Sequence, residues 1–157
     1  MKITQLKFNS RLGLARQQGA AAIEFALLLV LLLMFVAGIV EFGRAFWYYD
    51  ALTKATRDGA RYLSNTRVSA LVALDTATQD QAKTMVVNAA TQAQVPSFTS
   101  ADVTVTCEPN CDTPVYVIVA INAYPITIGG LIPIFLPVGS TTWATTLSPF
   151  TAMRYMH

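Results

Sequence analysis

The sequence predicts an α+β protein: one long N-terminal membrane-spanning helix carrying a small domain with an antiparallel sheet. Three observations lead there. Residues 20–40 are apolar except for Glu24. A helical spacing of apolar residues continues beyond them, with no proline between residues 20 and 65. From Ala101 onward the apolar period changes from helical spacing to alternation.

The apolar run comes first. At 1.5 Å per residue, 21 helical positions reach about 30 Å, the thickness of a hydrocarbon core. The segment before it, residues 1–19, carries Lys2, Lys7, Arg11 and Arg16 and no acid. Such a basic flank is held on the cytoplasmic side, which sends the rest of the chain outward. A conventional cleaved signal peptide fits poorly. Its apolar region is shorter and is followed by small residues, whereas Val40-Glu41-Phe42-Gly43-Arg44 follows here. Gly19, ahead of the run, is the more suggestive point for a cut.

Beyond residue 40, Phe42, Ala45, Phe46, Tyr49, Leu52, Thr56, Ala60 and Leu63 recur at helical spacing. Arg44, Asp50, Lys54, Arg57, Asp58 and Arg61 fall largely between them. The expectation is one helix of about 40 residues or more, lipid-embedded over residues 20–40 and amphipathic to about residue 64. Gly43 and Gly59 are read as points of close packing or bending. Phe46, Trp47, Tyr48 and Tyr49 have the composition of an interfacial aromatic belt.

Residues 65–157 are read as an extracytoplasmic α+β domain. After a connection over residues 64–75, Thr78-x-x-Gln81 suggests a capping box. A short helix follows, with Ala82, Met85, Val86, Ala89, Ala90 and Ala93 on one stripe and Pro96-Ser97 at its end. Val103, Val105 and Cys107 alternate with Asp102, Thr104 and Thr106, a strand with one wet face. Val115–Tyr124 is apolar on both faces and reads as a central strand. Thr141–Ser148 is a third strand, and the sheet is expected to pack on the outer half of the long helix. Ile126–Val138 is apolar, but Gly129, Gly130, Pro133 and Pro137 interrupt it, and 13 residues are too few to span a bilayer. It reads as a loop covering the core in preference to a partner surface.

Composition excludes several functions. The chain is +2 overall and its first 19 residues are +4, so residues 20–157 are net −2 and hold no basic patch for nucleic acid. The single histidine is His157. No nucleophile–histidine–acid set, phosphate-binding glycine loop or paired carboxylates can be assigned, so an enzyme is not expected, nor any cofactor or metal. Cys107 and Cys111 flank turn-forming residues. A disulfide there would close a short loop and contribute about 2 kcal/mol, in an oxidising compartment. Their spacing is wrong for a CxxC redox pair, and a metal half-site would lack two ligands.

Glu24 carries the sharpest hypothesis. A carboxylate at the centre of a bilayer helix costs about 2.5–3.5 kcal/mol, and less near an edge, where Glu24 lies. It is either a tolerated edge charge or a functional one. A cut after Gly19 would make Ala20 a new N-terminus whose amine, with a reference pKa near 8, is cationic at neutral pH. Glu24 would then be one turn away. Subunits offset by a turn would pair amine and carboxylate, an attraction of about 4 kcal/mol at an effective dielectric near 20, before desolvation. Mutually dependent buried charges fix register more than they add stability.

With these residues in place, the N-terminal half resembles type IV prepilin-like proteins. It is most similar to the TadE-like pseudopilins of the Tad (tight adherence, Flp pilus) machinery. The likeness runs through Gly19-Ala-Ala-Ala-Ile23-Glu24-Phe25-Ala26-Leu27, Gly38-Ile39-Val40-Glu41-Phe42-Gly43-Arg44 and Ala55-Thr56-Arg57-Asp58-Gly59-Ala60-Arg61. It covers residues 16–63 well. The remainder is similar only in flavour, with Tyr124-Pro125, a Pro-rich apolar loop and the closing Ala152-Met153-Arg154-Tyr155. The family often has a proline early in the apolar run, where this chain has Val30, so no kink is carried over.

The resemblance implies a pilin-like fold, single-pass in the bacterial cytoplasmic membrane, with residues 1–19 as a prepilin leader. It implies cutting between Gly19 and Ala20 by a prepilin peptidase, and assembly through Glu24 and Phe25. The implied partners are that peptidase, other pseudopilins, pilus-assembly proteins and the bilayer; the implied role is a minor structural one. The alternative is an uncleaved single-pass anchor that binds a partner through its outer domain.

Overall fold

The computed structural model describes residues 11–66, 74–130 and 142–156. Residues 1–10 of the expected leader, most of the 64–75 connection, the 131–138 part of the apolar loop and His157 lie outside the described residues.

The α+β architecture is as expected. Helix α1 runs from Arg11 to Asn65 without interruption, 55 residues and about 80 Å of helix. It begins within the basic segment, so Gly19 lies inside a helix rather than ahead of one. Residues 19–33 are exposed all round. This is the surface of a helix whose apolar side chains require lipid or other helices, and by length and composition it can cross a membrane.

Helix α2 (Thr76–Gln92) folds back antiparallel to α1: Tyr62 of α1 bonds Gln81 near the start of α2, while the Trp47 indole N–H donates to the Ala93 carbonyl at its end, 3.1 Å away. Ala82, Val86 and Ala90 of the expected stripe are buried, and Met85 is exposed. The helices approach closely at Gly59. A Cβ there would stand 3.0 Å from Val86 Cγ2 and 3.7 Å from the Ala82 carbonyl oxygen. Gly59 is therefore a packing glycine. Gly43 has open space around it, so close packing does not account for that glycine.

The capping box at Thr78 is corrected. The cap is Asp75, whose carboxylate accepts from the Thr78 backbone N–H at 2.9 Å and satisfies one of the orphan donors of the first turn. Hydrogen bonding from Thr78 holds this carboxyl below its ordinary value. Asp75→Ala should lower the thermal midpoint of the domain at neutral pH. A depressed carboxyl pKa contributes stability above the unfolded value of about 4 and loses it as pH falls through the folded value. The gap between wild type and variant, followed by circular dichroism against pH, should therefore close in acid.

Five strands follow among the described residues. β1 (Val103–Glu108), β2 (Tyr116–Ile121) and β5 (Phe150–Arg154) form an antiparallel sheet in the order β1-β2-β5. β3 (Tyr124–Ile128) and β4 (Trp143–Leu147) form a separate antiparallel pair. Two expectations change. The single strand over Val115–Tyr124 is two, divided at Asn122-Ala123, where Ala123 takes φ 42° and redirects the chain. The third strand pairs with β3 and not with the main sheet, whose third member is β5. β2 is central, as expected, but only its Val117, Val119 and Ile121 face is buried; Tyr116 opposite is exposed.

The main sheet lies against the outer half of α1, where Leu52, Ala55, Thr56, Ala60 and Leu63 are buried. Thr56 Oγ1 is 3.1 Å from Thr151 Oγ1 of β5, and the Ser64 carbonyl accepts from the Met156 N–H at 3.2 Å. Cys107 and Cys111 are joined, with Cα atoms 5.0 Å apart. The Cys111 carbonyl accepts from the Leu74 N–H at 2.9 Å, so the stapled turn abuts the start of α2.

Candidate assembly and processing site

Burial on α1 begins at Ala37, residues 19–33 are bare, and the site residues divide along that line. Below, Gly19, Ala20, Glu24 and Phe25 sit on exposed helix. A Cβ built on Gly19 meets nothing within 4 Å. No packing or turn within the chain requires glycine there. Ala20 and Glu24 are four residues apart and share a helix face. Glu24 has no hydrogen bond or ion pair among the described residues. Phe25 and its neighbour Ile23 are each 66% exposed, so the surroundings of the acid are apolar. A carboxylate so placed is free to accept a cation from another molecule.

The expected stripe on the outer half of α1 splits in the same way. Leu52, Thr56, Ala60 and Leu63 are in the core, whereas Phe42, Phe46 and Tyr49 are exposed. Lys54 and Asp50 form an i,i+4 ion pair, 2.6 Å and solvent-facing.

Sequence reasoning missed the role of the second acid of the helix. Glu41 belongs to one of the family-like stretches, yet its side chain is 1% exposed and is paired with Arg44 at 2.7 Å. Arg44 is half-exposed, one turn further from the apolar run, so the pair carries its cation toward water. Gly130, just past β3, lies against it: a Cβ there would be 3.5 Å from Glu41 Oε1. The signal was an acid at the end of the apolar run with an arginine at i+3.

Above Glu41 opens a cleft of about 400 Å³, lined by Arg44, Tyr48, Asp102, Tyr124 and Ile128 among others. The Tyr124 hydroxyl donates to the Pro96 carbonyl and its ring meets Phe98 edge-on, centroids 5.5 Å apart. Burial, and then Tyr48 and Asp102 nearby, push the phenol above its usual value. A neutral, hydrogen-bonded tyrosine and a neutralised carboxylate make this a structural cleft. Among the described residues no group of three His, Cys, Asp or Glu could hold a metal ion.

No curated protein and no solved structure matches this chain at a significant level. Residues 19–61 match the family model described as TadE-like protein, so over that stretch, most of α1, the chain is similar to that family.

Proposed function

We propose that this protein is a minor pseudopilin of a Tad-type pilus, cut between Gly19 and Ala20 by a prepilin peptidase and assembled through its N-terminal helix. The TadE-like match supports the coarser part, a Tad pilus-related component. The observation that carries the finer part is Glu24, an exposed acid with no partner among the described residues, one turn from Ala20 on a helix otherwise fit only for lipid or other helices.

In this reading the basic segment holds the precursor with its N-terminus in the cytoplasm. Cleavage removes that anchor and creates an amine at Ala20. The amine of one subunit meets Glu24 of a neighbour displaced by a turn, and the pair sets the stagger between helices that attract one another only nonspecifically. Phe25 packs beside the pair and keeps water from it. Every step is binding and positioning, and none asks catalysis of this chain.

The rival reading, an uncleaved anchor presenting its outer domain to a partner, differs in one observable. N-terminal sequencing of the protein produced with its cognate peptidase should begin at Ala20. A chain still beginning at Met1, in cells where other prepilins are cut, would leave the anchor reading standing.

A further inference from the structure

We infer that the β3–β4 hairpin is a second membrane contact, with the Trp143 ring seated in the headgroup layer of the outer leaflet beside the point where α1 leaves the bilayer. The inference rests on α1 spanning the membrane.

The hairpin is two-faced. Its register pairs Tyr124 with Leu147, Ile126 with Thr145 and Ile128 with Trp143, so these six residues share one face. Pro125, Thr127, Ala144 and Thr146 form the other. The first face turns toward α1. Ile126, Ile128, Thr145 and Leu147 line an open groove of about 310 Å³ with Phe42, Ala45, Phe46 and Tyr49.

The direction of the hairpin identifies what lies beyond that groove. Its Tyr124 end is held at the level of Tyr48, where both side chains line the same cleft. Gly130, beyond the other end of β3, lies against Glu41. From Tyr48 to Glu41 is seven residues of helix, about 10 Å toward the bilayer. Ile128 and Trp143, paired at that lower end, therefore stand at the edge of the apolar span. Trp143 is 70% exposed there, and Phe42 and Phe46 of α1, which line the groove with its partner Ile128, are exposed too.

Lipid is the occupant that chemistry favours. Phe42 and Phe46, which line the groove with the hairpin, belong to the helix whose lower part needs lipid. From Thr113 to Met153 the chain has no charged side chain. The acid at this level, Glu41, is buried and neutralised by Arg44. Indole, with an apolar body and one N–H donor, is the side chain that most favours the membrane–water boundary. A second membrane contact would fix the tilt and rotation of the domain against the bilayer, which one helix leaves free.

The test uses the full chain reconstituted in phosphatidylethanolamine–phosphatidylglycerol vesicles, with W47F leaving Trp143 as the sole tryptophan. Phospholipid brominated near the headgroup end of its acyl chain should quench Trp143 about twofold, and phospholipid brominated near the chain terminus should quench it less, as for an interfacial ring. Because Trp47 bonds Ala93, the difference between wild type and W143F supplies the same quantity without altering Trp47. Quenching by aqueous iodide but not by brominated lipid would place the ring in water and overturn the inference. Quenching by neither would mean that protein, such as a second copy, covers the ring, and would overturn it equally. A chain that does not float with the vesicles would overturn the spanning reading as well, which separates the two failures.

Discussion

Gly19→Val should stop processing almost completely and leave the protein otherwise as it is. The two halves of this expectation have separate origins. A side chain at residue 19 enters open space, since a Cβ there has no neighbour within 4 Å, so the fold has no stake in the glycine. The proposed peptidase would have one. It would have to bring its catalytic groups against the backbone at this bond, and a branched side chain would hold them off. Displacement on the order of 1 Å costs about a hundredfold in rate. The helix adds a second effect. Residue 19 lies within α1, and a protease that acts on extended backbone must first unwind it there. Glycine makes that unwinding easier by about 1 kcal/mol relative to alanine, and valine recovers part of the difference. Gly19→Ala should therefore cut slowly and Gly19→Val scarcely at all, read as the ratio of precursor to mature chain by mass spectrometry. Circular dichroism and the thermal midpoint of the outer domain should match wild type in both. Normal cleavage of Gly19→Val would move the processing site elsewhere in the leader.

The long helix was legible because nothing opposes it. Residues 20–65 contain no proline, and their apolar spacing holds at helical period through the lipid-like and amphipathic halves alike. α2 was legible from its alanine-rich stripe, but its start was not. Thr78-x-x-Gln81 fits the capping pattern, yet Asp75 stands three residues before the Thr78 N–H and offers a charged acceptor, the stronger bond. The apolar run after Val115 hid a bend. Hydrophobicity reports that a strand is covered and not where it turns, and the turn depends on the backbone of Ala123, a residue with no turn preference of its own. β5 was missed because Phe150-Thr-Ala-Met-Arg154 does not alternate clearly. It became a strand because β2 offered an unpaired edge. The candidate site followed the same logic. Gly19 and Glu24 are anomalies of composition, visible in one dimension, whereas Glu41 is buried with Gly130, nearly ninety residues away, against it.

The two glutamates of α1 give the last prediction, because their surroundings differ. Glu41 is engaged within its own chain and Glu24 has no partner there among the described residues. Glu41→Ala should lower the stability of the subunit where the end of β3 meets α1. It removes a charged hydrogen bond from a buried position, and since Arg44 is half-exposed and can be hydrated, the loss should be near the low end for such bonds, about 1.5 kcal/mol. Glu24→Ala should cost the isolated subunit nothing measurable. It removes an acid from an apolar helix and so makes insertion easier. Its penalty should appear only when subunits meet, where the Ala20 amine would be left in an apolar interface without a counter-charge. Losing one partner of a buried pair costs about 3–5 kcal/mol, a factor of a hundred or more at each subunit contact. Pilus assembly scored by sheared surface filament should then fail in Glu24→Ala while membrane insertion, cleavage and the outer domain's thermal midpoint hold, and Glu24→Asp should recover it in part. Full piliation in Glu24→Ala would reduce that residue to an edge charge the bilayer tolerates. A lowered midpoint in the same variant would mean that Glu24 has a partner in its own chain, and the stagger between subunits would have to come from the shape of the apolar helix alone.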